Sequence, residues 1–381
     1  MKTAFPDLLA QKMRAREQSN AVRSLHVNRY IDFSSNDYLG FAKSETLFHA
    51  THRYLTEIGL QQNGATGSRL ISGNHRLFDD AEAFIAKFHK SESALIFNSG
   101  YDANVGFFSA VPQRNDVIIY DELCHASIRD GIRQSNAKAY KFPHNDLEAA
   151  EAFILKHIQN ASEIYIATES VFSMDGDSPN LPQLSALSQK YHCRLVIDEA
   201  HALGVFGNCG EGLLQEMNLQ DAAFARIMTF GKGLGCHGAA IVGVKQLSEY
   251  LINFARSFIY TTGLPPHAVA AILMAYQELQ SSQLPIKLLH DNLLHFNQEM
   301  NMLGLKALFV KGKSAIKSAV IPGNDNVKRI ELELQQANFD VKAILSPTVP
   351  EGQERLRICL HSYNSKVEID NLLKVLAKAI G

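Results

Sequence analysis

Cysteine is scarce in this 381-residue chain and follows no pairing pattern. There are five (Cys124, Cys193, Cys209, Cys236 and Cys359), an odd number with no C-x-x-C spacing. That excludes a disulfide framework and a zinc ribbon, and it suits a reducing compartment. Long apolar runs are missing as well. No stretch of about 18 apolar residues occurs, so no spanning helix is expected. The opening "MKTAFPDLLAQKMRARE" turns charged before an apolar segment develops, unlike a secretory signal. Nor is there a surplus of one charge. The formal net charge is −2 and the pI is near 6.7, which leaves no electrostatic footprint for nucleic acid or anionic lipid. What remains is 46% hydrophobic and 20% charged, enough for a sizeable core. The expectation is a cytoplasmic globular protein with neither nucleic acid nor membrane as partner.

From about residue 76, amphipathic helical segments alternate with short apolar runs: "HRLFDDAEAFIAKFH" then "SALIF", "YDANVGFFSAV" then "DVIIY", "DLEAAEAFILKHI" then "EIYIATES", "LPQLSALSQKY" then "CRLVIDEA". Such alternation predicts an α/β fold with a mostly parallel, doubly wound sheet. The first 25 or so residues read as an amphipathic helix and "NRYIDFSS" as a short strand. After Pro265 and Pro266 the chain turns helical. It ends with strands near "SAVIP", "FDVKAIL" and "RLRICL" and a last helix, a smaller α+β domain. The expected division is an N-terminal helix and arm over 1–40, a large domain over 41–280 and a small one over 281–381.

Three motifs invite readings that their context removes. "LVIDEAH" (195–201) resembles the acidic strand end of a DEAH-type ATPase. The only GK[ST], however, is Gly312-Lys313-Ser314, downstream, with Ala307 where the first glycine of a phosphate loop belongs. Gly233-x-Gly235-x-x-Gly238 matches the dinucleotide fingerprint, which should open a helix after a strand. Here the strand-like "AAIVGV" follows, so a nicotinamide dehydrogenase is a poor alternative. Asp198, His201, His125 and His237 could suggest a metal, but nothing resembles H-E-x-x-H, and no metal site is expected.

One constellation does fit. Asp198 ends a buried apolar strand, where doubly wound sheets present ligand-binding groups. His201 follows by three residues, and Lys232 lies in "TFGKGLGCHGAA", after the next strand-like run "RIMTF". Gly100 in "NSGYDAN" precedes a helix start, whose N–H groups suit a phosphate. An acid, a lysine and a phosphate cradle together fit pyridoxal 5'-phosphate. The lysine amine joins the aldehyde, and the carboxylate keeps the ring nitrogen protonated so that the ring accepts electrons. Glycines around the lysine would let cofactor and substrate come close to the backbone.

At this point the chain resembles the α-oxoamine synthases, pyridoxal-phosphate enzymes of fold type I. The motifs run in order along nearly the whole chain: "DFSSNDYLG", "GATGSRLISGN", "FNSGYDANVG", "CHASIRDG", "ESVFSMDGD", "VIDEAHALGVFG", "TFGKGLGCHGAA" and "RLRICL". The resemblance implies that Lys232 binds the cofactor and handles the substrate α-proton. Asp198 would partner the ring nitrogen, His201 the ring oxygen, and His125 would stack on the ring and orient the acyl group. Gly100, Tyr101 and Thr229 would hold the phosphate, with Glu169 and Ser173 lining the same region. "YTTGLPP", with Thr262, would reach the phosphate in a partner subunit, which implies a homodimer. Arg357 would bind the substrate carboxylate, with Asn36, Thr348 and Arg23 at substrate-side positions. Strand alternation puts Arg355 and Arg357 on one face, a pattern that solvated charges on an edge strand would also give.

Family members join an amino acid to an acyl thioester with loss of CO2. "AILSPTVPEGQERLRICL" and "GAAIVG" look most like the biotin-pathway branch, which uses L-alanine and a pimeloyl thioester of coenzyme A or acyl carrier protein. The alternatives are a branch using glycine and acetyl-CoA, and a non-catalytic pyridoxal-phosphate binder. Gly231, Gly233 and Cys236-His237 depart from what relatives commonly carry around the lysine.

Overall fold

The computed structural model describes residues 5–23, 25, 27 and 29–380. The strands are β1 (Ile31–Asp32), β2 (Ser93–Phe97), β3 (Val117–Asp121), β4 (Lys138–Phe142), β5 (Ile164–Glu169), β6 (Arg194–Asp198), β7 (Ala225–Thr229), β8 (Ala239–Gly243), β9 (Ile316–Val320), β10 (Phe339–Asp340), β11 (Lys342–Ile344) and β12 (Arg355–Cys359). By compactness the chain falls into two units. One gathers Asn36–Ser173 and Asp177–Leu289. The other gathers the described residues up to Ser35, Met174–Gly176 and those from His290 onward. The sequence reading instead drew contiguous boundaries at 40 and 280; a three-residue excursion carries no compositional mark.

The first unit is built on a seven-stranded sheet in the order β2-β8-β7-β6-β5-β3-β4. β7, β6, β5, β3 and β4 pair in parallel, and only β8 runs against its neighbours. A parallel return needs a crossover of about a dozen residues or more. Only nine residues separate Thr229 from Ala239, so β8 has to come back antiparallel. Those nine residues contain Lys232. Both faces of the sheet are covered, as mostly parallel sheets require, and every residue of β5 is buried. Helix Gly100–Ala110 seats Phe107 and Phe108, both without solvent exposure, against this core. Burying each such side chain contributes about 1.5–3 kcal/mol.

The second unit has a three-stranded antiparallel sheet, β11-β12-β9, and a parallel bridge between β1 and β10. β12 is its central strand, not an edge. Arg355 and Arg357 are 5% and 7% exposed, so neither is a solvated surface charge. Arg355 pairs with Asp175. Ser314, of the GK[ST] triplet, gives its hydroxyl to the Gly176 carbonyl at 2.8 Å instead of facing a nucleotide. The N-terminal helix, Asp7–Gln18, buries none of its residues. No helix of the described residues is long and apolar enough to cross a membrane.

Inside the seven-stranded unit lies one fully buried ion pair. Arg226 of β7 meets Glu199 at 2.6 Å and also donates to the carbonyls of His89 and Glu211. Removing one partner of such a pair leaves a bare buried charge, at a cost of about 3–5 kcal/mol. Arg226→Met is expected to lose stability on that scale in urea unfolding.

Candidate active site

Parallel strands deliver their C-terminal ends to one side of a sheet, and loops there carry the chemistry. Here β5 ends in Glu169, β6 in Asp198 and β7 in Thr229, with Glu169 directly opposite Asp198 in the register. Lys232 lies three residues past Thr229, in a tight loop closed by Gly235 N–H to Lys232 O (2.8 Å) and Cys236 N–H to Phe230 O (2.9 Å). Two glycines of this loop, Gly233 and Gly235, are required by the protein's own backbone. A Cβ on Gly233 would stand 2.3 Å from the Leu203 carbonyl oxygen. One on Gly235, whose φ is +59°, would stand 2.1 Å from the Ala42 nitrogen. After Gly238 the chain enters β8, not a helix, which removes the dinucleotide reading. Cys236 gives its thiol hydrogen to the Leu234 carbonyl at 3.1 Å; burial, then the Asp37 charge, pushes the thiol up to about 12, so it stays protonated and inert.

The Lys232 amine is 2.8 Å from His201 Nε2, and His201 Nδ1 is 2.7 Å from the Tyr38 hydroxyl. His201 thus stands between the Lys232 amine and the Tyr38 hydroxyl, one ring nitrogen to each. The Tyr38 hydroxyl also reaches Asn36 Oδ1 at 3.3 Å. His201 is 3% exposed and Tyr38 fully buried, so the middle of this chain is out of water's reach, while Lys232 and Asn36 at its ends are half-buried. The sequence placed His201 and Asn36 at the site but not Tyr38, which links them.

A second chain orders the acid. Asp198, 5% exposed, accepts from Ala200 N–H (2.9 Å) and from the Asn104 amide (2.8 Å). The same Asn104 nitrogen donates to Ser127 Oγ at 3.1 Å, and Ser127 Oγ lies 2.8 Å from His125 Nδ1. One buried amide thus connects Asp198 to His125, while its own Oδ1 finds no partner. Asn104 and Ser127 lay inside quoted motifs, yet nothing in their residue type marked them. His125 caps helix Ala126–Gln134 and presents an exposed ring. Its backbone N–H donates to Glu169 Oε1 at 2.6 Å. Burial first, and the Asp198 charge second, push Glu169 up to about 8, against the pull of Lys232. Glu169 is therefore a neutral acid near pH 7.

Helix Gly100–Ala110 starts beside β7. A Cβ on Gly100 would sit 2.4 Å from Thr229 Oγ1, so glycine is required for the helix start and the Thr229 hydroxyl to share the space. The opening amides of a helix have no carbonyl one turn back. Ser99 Oγ serves Asp102 N–H, leaving the Gly100 and Tyr101 amides for an anion. The Tyr101 side chain turns to Asp130 at 2.8 Å, so its contribution is backbone alone. Ser173 follows Phe172 in the loop after β5. Thr262 is exposed, with its carbonyl held by the Asn98 amide at 2.7 Å. Arg23, Thr348 and Arg357 belong to the other unit: the first two are exposed, and Arg357 is buried with Nη1 at 3.0 Å from Cys359 Sγ.

A loop lysine held by a buried histidine, a carboxylate almost without solvent, and a helix start with two available amides fit the aldehyde, ring nitrogen and phosphate of pyridoxal phosphate. Of the residues that could suggest a metal, Asp198 accepts from Ala200 and Asn104, and His201 meets Tyr38 and Lys232. The aminotransferase class I and II family pattern matches residues 28–376, and the chain belongs to that family. An 8-amino-7-oxononanoate synthase of Emericella nidulans is 38% identical over 97% of this chain and 95% of its own. A putative 8-amino-7-oxononanoate synthase of Geobacillus kaustophilus is also 38% identical, over 97% and 93%. Among solved structures, the 8-amino-7-oxononanoate synthase from Francisella tularensis superposes with a TM-score of 0.78 at 29% identity, covering 92% of this chain and 98% of that one. The Sphingomonas wittichii serine palmitoyltransferase gives 0.83 at 25%, covering 98% and 96%.

The raised Glu169 has a signed consequence for stability. Its unfolded form ionises near the ordinary value of 4.5 and the folded form only near 8, so folding loses its favour progressively between those values. Glu169→Gln keeps an acceptor for His125 N–H and removes this loss. Its melting temperature, relative to the unsubstituted protein without cofactor, is expected to rise between pH 5 and 8 by roughly a few degrees and then level off.

Proposed function

We propose that this protein condenses L-alanine with a pimeloyl thioester, of coenzyme A or acyl carrier protein, to 8-amino-7-oxononanoate, CO2 and free thiol, a step of biotin biosynthesis, with pyridoxal 5'-phosphate as cofactor. The observation that carries the reading is the placement, at and just beyond neighbouring strand ends, of the buried Asp198 carboxylate and of the Lys232 amine backed by His201 and Tyr38.

The cofactor, once joined to the chain at Lys232, supplies a ring that takes up the electrons of bonds broken at the amino acid's α-carbon. Every other task falls to side chains. Asp198, kept from water and oriented by Asn104, would hold a proton on the ring nitrogen. The Gly100 and Tyr101 amides and the Thr229 hydroxyl would take the phosphate oxygens, with Ser173 lining the same pocket. Lys232 Nζ, when free of the cofactor, would remove the alanine α-proton and would return a proton after CO2 departs. His201 steadies the amine and is the partner proposed for the ring oxygen. His125 covers the ring face and steers the acyl carbonyl. Glu169, neutral, fixes the His125 backbone without adding a charge that would compete with Asp198. Arg357 receives the alanine carboxylate as a two-pronged donor, with Asn36, Thr348 and Arg23 on the substrate side.

The working form is a homodimer in the cytoplasm, with Thr262 reaching the phosphate of the partner subunit's cofactor. Support for that reading is the exposure of Thr262 on a segment whose backbone Asn98 holds in place.

Two measurements test this. Purified, cofactor-loaded protein is given L-alanine with pimeloyl-CoA in one tube and glycine with acetyl-CoA in another, and products are read by mass spectrometry. Product in the first tube alone is expected; product mainly in the second would move the protein to a glycine-using reaction. Lys232→Ala is expected to lose the yellow colour of covalently held cofactor and roughly 10²–10⁴-fold or more in kcat.

A further inference from the structure

His144 is two residues past the end of β4, outside every motif used above, and it occupies an unusual position between two carboxylates. Its Nδ1 is 3.0 Å from Asp121 Oδ1 and its Nε2 is 2.9 Å from Asp177 Oδ2. Asp121 ends β3 and is fully buried; Asp177 closes the loop after β5 and is 17% exposed. Its neighbour Asn145, at a left-handed φ of +58°, repeats the bridge with its backbone N–H on Asp121 (2.8 Å) and its amide on Asp177 (2.8 Å). The other charge nearby is Glu122, which accepts the His144 backbone N–H at 3.3 Å. No cation besides the imidazole faces these carboxylates among the described contacts.

The two anchors matter for what they hold. Asp121 accepts from Leu123 N–H at 2.8 Å, and its carbonyl accepts from Cys124 N–H, which shapes the turn that ends in His125. The Asp177 carbonyl accepts from Phe172 N–H at 3.0 Å, and the His144 ring stands edge-on to the buried Phe172 ring at 4.4 Å. Phe172 is followed by Ser173, and Glu169 begins the same segment. The His144 side chain therefore ties the turn bearing His125 to the segment bearing Glu169 and Ser173, which also meet through His125 N–H and Glu169 Oε1.

We propose that His144 is a positioning residue for the reaction, fixing these two segments in one register by donating to Asp121 and Asp177 at once. It touches neither substrate nor cofactor in this role and acts through His125 and Ser173. What the two segments are for rests on the proposed function; that His144 holds them does not. A neutral imidazole has one N–H and could serve only one carboxylate, so the clamp needs both ring nitrogens protonated. Burial alone would lower His144, but the bonds to Asp121 and Asp177 outweigh it and raise it to about 9. The clamp is complete below the ordinary value near 6.5 and is lost as pH rises through about 9.

Hydrogen–deuterium exchange on the full chain without added cofactor reads the clamp directly. In His144→Gln, amides of peptides spanning 121–127 and 170–178 are expected to exchange roughly tenfold faster, with β6 and β7 unchanged. Asp177→Asn should do the same, and the double variant should add little. In the unsubstituted protein, exchange in those two peptides should accelerate between pH 8 and 10 beyond the intrinsic chemical rate, and in His144→Gln it should not. With cofactor and substrates, kcat of His144→Gln should fall roughly 10- to 100-fold with KM for alanine within about twofold. Unchanged local exchange, or a change spread evenly over the chain, overturns the clamp. Opened peptides with an unaltered kcat overturn its part in catalysis. An unsubstituted protein that exchanges as expected but makes no product overturns the proposed function and leaves the clamp standing.

Discussion

A carboxylate with almost no access to water is costly unless hydrogen bonds or charge hold it, and most of the site can be read as the solution to that problem at Asp198. The Ala200 amide serves one oxygen and the Asn104 side chain the other. Because Asn104 also donates to Ser127, the arrangement that keeps the acid fixes the histidine two residues earlier. Glu169, directly opposite Asp198 in the sheet, remains an acid chiefly because it is buried and secondly because of the Asp198 charge. Burial and one charge, both placed by strand register, thus bear on the protonation of one neighbour and the orientation of another.

The Lys232 loop shows how a chemical requirement and a packing requirement fall on the same residues. A short connection forces β8 to run antiparallel, and the tightness of that connection forces glycines where the loop crosses Leu203 and Ala42. A glycine-rich stretch around a lysine resembles a phosphate cradle in sequence. In space its glycines make room for protein backbone, and the anion site lies elsewhere, at the helix that begins with Gly100.

Much of this was legible in the residues. Apolar runs between amphipathic helices gave the parallel sheet, and Asp198, His201 and Lys232 stand out because they lie at or follow strand ends, where such sheets present ligand-binding groups. Tyr38, Asn104, Ser127 and His144 did not stand out. Each is an ordinary polar or aromatic residue whose role depends on which distant atom it meets, and sequence spacing carries no record of a contact between residue 38 and residue 201. The discontinuity of the smaller unit was hidden for a similar reason. Residues 174–176 leave no trace in composition, yet their partners are Ser314, Ser318 and Arg355. Arg357 shows the reverse case: alternation fixed its face correctly, but only the strand order could say that β12 is central and its arginines buried.

That three-residue excursion also bears on how such a chain can be divided or recombined. One unit is assembled from an N-terminal stretch, a short internal insertion and the C-terminal quarter, so no single cut of the gene yields either unit as a continuous polypeptide. Exchange of one unit with that of a relative would have to transplant the tip at 174–176 along with the two termini. Each of the two bodies is therefore made of segments that are separate in the chain.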